Sequence, residues 1–257
     1  MDDLINALKN ASLYPHETTE FQVIETHISW VLLTGPFAYK IKKPVNFGFI
    51  DYTTLEKRKY YSDLELTLNQ RLARPLYEGV IPIRGSRTNP ALEGKEPIIE
   101  YALKMHQFEQ NRLLSHVHET EGLSKAIVHD LSKQIADFHQ DIEVSKQDSP
   151  YGTLDHVLTP VLDNFTALKN LKAGKAWLKD LAVLEAWAND QFQALKETLS
   201  KRKTNGFIRA CHGDLRLSNI VLYHGKPMIF DCIEFNEDFR QIDVVADIAF
   251  LIMDLEH

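Results

Sequence analysis

Over its first hundred residues the chain alternates short apolar runs with polar breaks, and beyond them the spacing of apolar positions lengthens to that of helices. Phe21–Glu25 and Trp30–Leu33 read as strands around Thr26-His27-Ile28-Ser29, and Thr34-Gly35-Pro36 turns the chain into a third strand, Phe37–Ile41. Thr53-Thr54-Leu55-Glu56 has capping-box spacing, and Leu64, Leu68 and Leu72 recur at helical intervals, which predicts a helix over Thr54–Leu72. Val80–Ile83 and Pro97–Lys104 add two strands across a loop containing Gly and Pro. After Met105 the pattern is helical. Leu123–Gln140 is amphipathic with Leu131, Ile135 and Phe138 on one side, and Leu154–Lys203 reads as further helices with Trp177 and Trp187 in the core. Ile220–Tyr223 and Met228–Phe230 form a hairpin through His224-Gly225-Lys226-Pro227. The expected class is α/β (α+β), β-rich over 1–105 and mainly helical over 106–257, as one large domain or as two lobes.

Composition narrows the functional classes. The 257 residues are 44% hydrophobic and 25% charged, an ordinary globular balance. A formal net charge of -7 argues against nucleic acid as a partner, because phosphate contacts call for a basic face. No apolar run is long enough to span a bilayer, and the acidic start Met1-Asp2-Asp3 lacks the basic region of a signal peptide, so a soluble, cytoplasmic protein away from membranes is expected. Cys211 and Cys232 lack metal-ligand spacing and read as buried thiols.

The chemistry concentrates in His212-Gly213-Asp214-Leu215-Arg216-Leu217-Ser218-Asn219 and the hairpin that ends on Asp231. Folding the hairpin brings Asn219, before its first strand, close to Asp231, after its second. An amide and a carboxylate on neighbouring strand ends suit Mg²⁺, which shares its remaining positions with waters and phosphate oxygens. Asp214, on the preceding loop, is placed to accept a hydroxyl proton.

H-G-D-x-x-x-x-N followed by a hairpin and Asp resembles the aminoglycoside phosphotransferase and choline kinase superfamily, whose fold is protein-kinase-like. The runs Leu33–Val45 and Phe230-Asp231-Cys232-Ile233-Glu234-Phe235-Asn236 are most similar to a bacterial aminoglycoside-phosphotransferase-like group often fused to a P-loop ATPase domain. The resemblance implies a kinase that uses ATP, or another nucleoside triphosphate, with Mg²⁺ to phosphorylate a hydroxyl of a small molecule. It also implies a C-terminal P-loop domain in a longer parent protein. In this reading Asp214 is the base, Asn219 and Asp231 hold metal, and Lys40, two residues after Ala38, grips the phosphates. Glu65, favoured over Asp63 and Glu56 by its spacing to Leu72, orients Lys40. Lys42 shares the face of Lys40, and Lys43 points the other way. Lys104–Phe108, with Met105 at its centre, is the hinge that meets the adenine edge.

Other positions depart from the family or leave alternatives open. Thr26–Ser29 has no glycine, so Ser29 either supplies a hydroxyl and amide to the phosphates or is an ordinary turn residue. Arg216 stands where many relatives have His, and it either steadies phosphate charge or pairs with a nearby acid. Asp247-Ile248-Ala249 resembles the D-L-A element that braces the catalytic loop, and His139 reads as a packing or capping residue. Glu234 and Asp243 lie toward the acceptor side, where they either meet substrate or, as the favoured reading, are surface acids. Relatives continue with more helices, which implies a fragment with part of the acceptor site missing, and Leu255-Glu256-His257 is compatible with the start of an expression tag. The rival functions are an idle nucleotide-binding or regulatory module and, with H-G-D in place of H-R-D and no D-F-G or A-P-E, a protein kinase.

Overall fold

A computed structural model describes residues 2–171 and 177–256. Its elements in chain order are α1 (Asp3–Ala7), β1 (Gln22–Glu25), β2 (Ser29–Leu33), β3 (Phe37–Lys42), α2 (Leu55–Ala73), β4 (Tyr77–Ser86), β5 (Asn89–Ala91) and β6 (Ile98–His106). There follow α3 (Leu114–Thr120), α4 (Lys125–Asp141), α5 (Leu154–Lys169), α6 (Leu178–Thr204), β7 (Ile208–Ala210), β8 (Ile220–Tyr223), β9 (Lys226–Ile229), β10 (Gln241–Asp243) and α7 (Val244–Glu256). The first six strands make one antiparallel sheet in the order β1-β2-β3-β6-β4-β5. With α2 against that sheet and helices dominating thereafter, the fold is of the α/β class in two lobes, one β-rich and one mainly helical.

Alternation along the strands decides which side chains meet which layer. Leu32, Tyr39, Ile41, Ile83 and Ala102 join Leu4 and Ile5 of α1, and Leu8 just after it, in a core on one side of the sheet. Leu33, Ala38, Leu103 and Met105 form a second core with Ala73, Leu76, Tyr77 and Val221 of the β8–β9 hairpin, and this core joins the lobes. A third gathers Leu131 and Ile135 of α4 with Leu215, Leu217, Ile220, Ile229 and Leu251.

The sequence reading differs from the structure in several places. Thr54 is the N-cap of α2, accepting from Lys57 N, so the cap lies one residue later than the Thr53–Glu56 spacing implied. Short α1 and β5 carry too few periodic positions to be read. Trp187 is not core: it is 61% exposed, because α5 and α6 pack mainly on each other and leave Val183, Leu184 and Trp187 facing outward. The 172–176 part of the expected helical stretch, and His257, lie outside the described residues. Among those described, no helix is long and apolar enough to cross a membrane.

Candidate active site

The β8–β9 hairpin sets the spacing of the acid and amide groups. Its turn residues His224 and Gly225 have φ of 50° and 78°, both left-handed, which matches the twist of paired strands. Phe230 N donates to Asn219 O at 3.0 Å, which seats Asp231 beside the end of the His212–Asn219 loop. Asp231 itself has a left-handed φ of 63°, uncommon for a residue with a side chain. Within the loop, Asn219 Nδ2 donates to the Asp214 carbonyl and to Asp214 Oδ2, each at 2.9 Å. Arg216 lies 3.1 Å from the same Asp214 carboxylate, so of its two readings the structure shows the pairing with an acid.

A buried brace fixes this loop. Asp247 accepts from His212 N at 3.2 Å, Gly213 N at 2.8 Å and His139 Nε2 at 2.8 Å. Burial disfavours charge on Asp247, but His139, His212 and the Gly213 amide outweigh it and hold the carboxyl below its usual range. His212 donates from Nε2 to Phe230 O and accepts from Asp214 N at Nδ1, two bonds that select the neutral tautomer. Gly213 is required here: its φ is 88°, and a Cβ would come within 2.7 Å of Phe239 O. His139, Cys211 and Asp247 offer ligand-type atoms within 4.8 Å of one another. Their hydrogen bonds account for the cluster, with Asp247 accepting from His139 and two loop amides and the Cys211 thiol donating to Ile242 O.

The lysines come from the opposite lobe. Lys40 Nζ lies 2.7 Å from Glu65 Oε1 and 2.6 Å from Asp231 Oδ1. Burial works against charge on Lys40, but Asp231, Glu65 and Glu234 outweigh it and hold the ammonium well above its ordinary value. The same balance, burial against Lys40 and Lys42, leaves Glu65 below its ordinary value. Lys42 does share this face: it meets Glu65 Oε2 at 2.5 Å and also pairs with Glu234. Lys43 turns away to Glu25. Glu234 is therefore no surface acid. It is 5% exposed, because the chain after Asp231 folds inward and delivers it to Lys42 and the Tyr52 hydroxyl. Asp243 is bound by Arg202 through both carboxylate oxygens, at 2.6 and 2.7 Å.

Helix α2 also carries contacts that sequence reasoning missed. Asn69 accepts from Cys232 N at 2.9 Å, and Arg71 donates to Ala210 O at 2.7 Å and Cys211 O at 3.2 Å. Both chain segments that bear catalytic-type residues are thus tied to the helix that holds Glu65. The signal was present: Asn69 is four residues from Glu65, so two polar side chains share one face of a helix that must be buried.

A cleft of about 240 Å³ opens between the lobes. Val31, Leu33, Ala38, Met105, Phe108 and Phe230 give it apolar walls, and Lys40, Asn219 and Asp231 stand in its polar part. Met105 pairs with Ala38 on one side and Tyr77 on the other, so its backbone sits within the sheet. His106, Gln107 and Phe108, which follow, also line the cleft. Ser29 is not brought to it. Its residue is fully buried and its amide donates to Thr26 Oγ1 at 2.9 Å, while Thr26 itself lines the opening.

No protein-family model matches the chain. It is 32% identical over 236 residues to uncharacterised proteins of Mycobacterium bovis and Mycobacterium tuberculosis, an alignment covering 91% of this chain and 45% of each relative. The chain thus spans about half the length of the curated relatives it matches. Among solved structures it is similar to an ethanolamine kinase of Plasmodium vivax, with 15% identity, a TM-score of 0.40, and coverage of 92% of this chain and 60% of that one.

Proposed function

We propose that this chain binds a nucleoside triphosphate, ATP, between its lobes and transfers the γ-phosphoryl group to a hydroxyl of a small molecule. The observation that carries this is the convergence of Lys40, Glu65 and Asp231 within ion-pair distance, from a strand, a helix and a hairpin end. The apolar walls of the cleft suit a base, and Met105 to Phe108 suit its edge. Lys40, kept cationic by its acidic neighbours, meets the phosphates as a point charge, and Glu65 orients it.

The donor set fits a hard cation. Asp231 offers a carboxylate, and Asn219, whose amide nitrogen is committed to Asp214, presents its carbonyl oxygen. Magnesium held there would neutralise the phosphate oxygens. Asp214 accepts the acceptor's hydroxyl proton as the new oxygen–phosphorus bond forms and the bond to the β-phosphate oxygen breaks. Asn219 keeps the Asp214 carboxylate in place, and Asp247, through two loop amides, keeps the loop in place.

Titration of the purified chain with ATP and Mg²⁺ tests the reading. At a hundredfold excess over Kd a ligand of the folded state adds about 2.7 kcal/mol of stability, a readily measured rise in melting temperature. Lys40→Met should remove most of that rise. Labelled γ-phosphate appearing on a compound in a hydroxyl-bearing panel would establish transfer. Binding with no transfer would point to the nucleotide-binding module instead, and no binding by a folded sample would defeat both readings.

A further inference from the structure

Strand β3 carries a second lysine for which the mechanism above has no task. Lys42 is 2% exposed and is held from two directions, by Glu65 of α2 and by Glu234, three residues past Asp231. Tyr52, fully buried, donates its hydroxyl to the same Glu234 oxygen at 2.5 Å, and its ring centroid lies 4.8 Å from the Lys42 ammonium. Buried ion pairs are weak contributors to stability, since apolar side chains of similar volume often do as well. Their geometry is the more informative property. Glu65 divides its carboxylate, giving Oε1 to Lys40 and Oε2 to Lys42. A rotation of Glu65 that released Lys40 would therefore break the Lys42 pair as well. The second carboxylate on Lys42 belongs to the segment that carries Asp231, so one ammonium links β3, α2 and the metal-binding end of the hairpin.

We propose that Lys42 and Glu234 are positioning residues: they clamp the Glu65 carboxylate so that Lys40 stays aimed at the nucleotide's phosphates, at a fixed distance from Asp231. This rests on the nucleotide-binding reading above. The clamp acts only through Lys40, so it bears on phosphates and not on the base. Calorimetric titration with Mg²⁺-ATP and, separately, with adenosine tests it in the wild type, Lys40→Met, Lys42→Met, the double variant and Glu234→Gln. Lys42→Met should weaken Mg²⁺-ATP by about tenfold and leave adenosine affinity unchanged. In the Lys40→Met background the same substitution should add little, because the residue it works through is gone. Glu234→Gln keeps shape and a hydrogen-bond acceptor while removing charge. It should show the same selective loss at smaller size, and it carries the test if Lys42→Met no longer unfolds cooperatively. Equal losses for ATP and adenosine, additive losses in the double variant, or unchanged Mg²⁺-ATP affinity would overturn the proposal. A wild type that binds adenosine as well as Mg²⁺-ATP would overturn the nucleotide reading itself, and the clamp with it.

Discussion

The residue with the sharpest expected signature is Asp214. Its carboxylate is steadied by Asn219 and Arg216 and makes no contact with Lys40 among the bonds described, so the proposed base and the proposed phosphate grip are separate parts. Asp214→Ala should leave Mg²⁺-ATP affinity nearly intact and lower turnover about 10²- to 10⁴-fold, the usual worth of a positioned base. A purified variant with wild-type turnover would remove Asp214 from that role. At this scale the sequence was readable wherever proximity follows from close spacing. Asp214, Asn219 and Asp231 lie within one loop and hairpin, and local geometry alone brings them together. Glu234 was misread because its partner is 192 positions away, and nothing near it in the chain announces a buried cation.

Helix α2 is the element on which the site turns. Glu65, Asn69 and Arg71 reach the segments around Asp231 and His212, while near its start Arg58 forms a buried pair with Glu100 of β6 and also donates to the carbonyls of Tyr52 and Thr53. Removing one partner of a buried pair strands the other charge. Arg58→Ala should therefore cost about 3–5 kcal/mol, read as a lowered urea midpoint. A loss within the range of an ordinary surface substitution would show that the pair is not holding the helix. The leucine spacing made α2 legible as an element, but its polar residues look equally at home on a solvated face until the opposing strand is in view. The start of the helix was legible to within one residue, since Thr53 and Thr54 both make good caps, and the Thr53 hydroxyl is instead given to Asp51.

For the whole molecule, the titrating groups set a pH window. Burial holds His212 below the ordinary histidine value of 6.5, so it is neutral in the fold, and burial with Lys104 nearby acts likewise on His16. The unfolded chain takes up those protons first, so stability is full above about pH 6.5 and falls as the pH drops from there. Glu65, Asp231 and Asp247, held below their ordinary values, extend the loss at lower pH, whereas Glu234, raised by burial, works in the opposite direction. Melting temperatures from pH 8 to 5 should decline below neutrality, and His212→Gln should flatten that decline while lowering stability throughout. Parallel slopes in the two proteins would locate the proton uptake elsewhere. The two-lobed architecture was legible because strand and helix periodicities segregate along the chain. The outward faces of α5 and α6 were not, since apolar helical spacing alone does not reveal which faces find a partner.

The direct pairing of Lys40 with Asp231 has a thermodynamic consequence. A metal at Asp231 competes with an ammonium for the carboxylate, and that ammonium, once displaced, keeps only Glu65, which it shares with Lys42. Metal alone thus costs the lysine one of its two carboxylates, and nucleotide alone draws the lysine from Asp231 and leaves that carboxylate short of a cation. Together they exchange partners with no charge left over, so each should raise the affinity for the other, and by linkage the two enhancements must be equal. In calorimetry, Mg²⁺ without nucleotide should bind weakly, and the gain each ligand confers should fall sharply in Lys40→Met, whose Asp231 is already free to accept metal. Equal Mg²⁺ affinity with and without ATP in the wild type would show that the exchange does not take place.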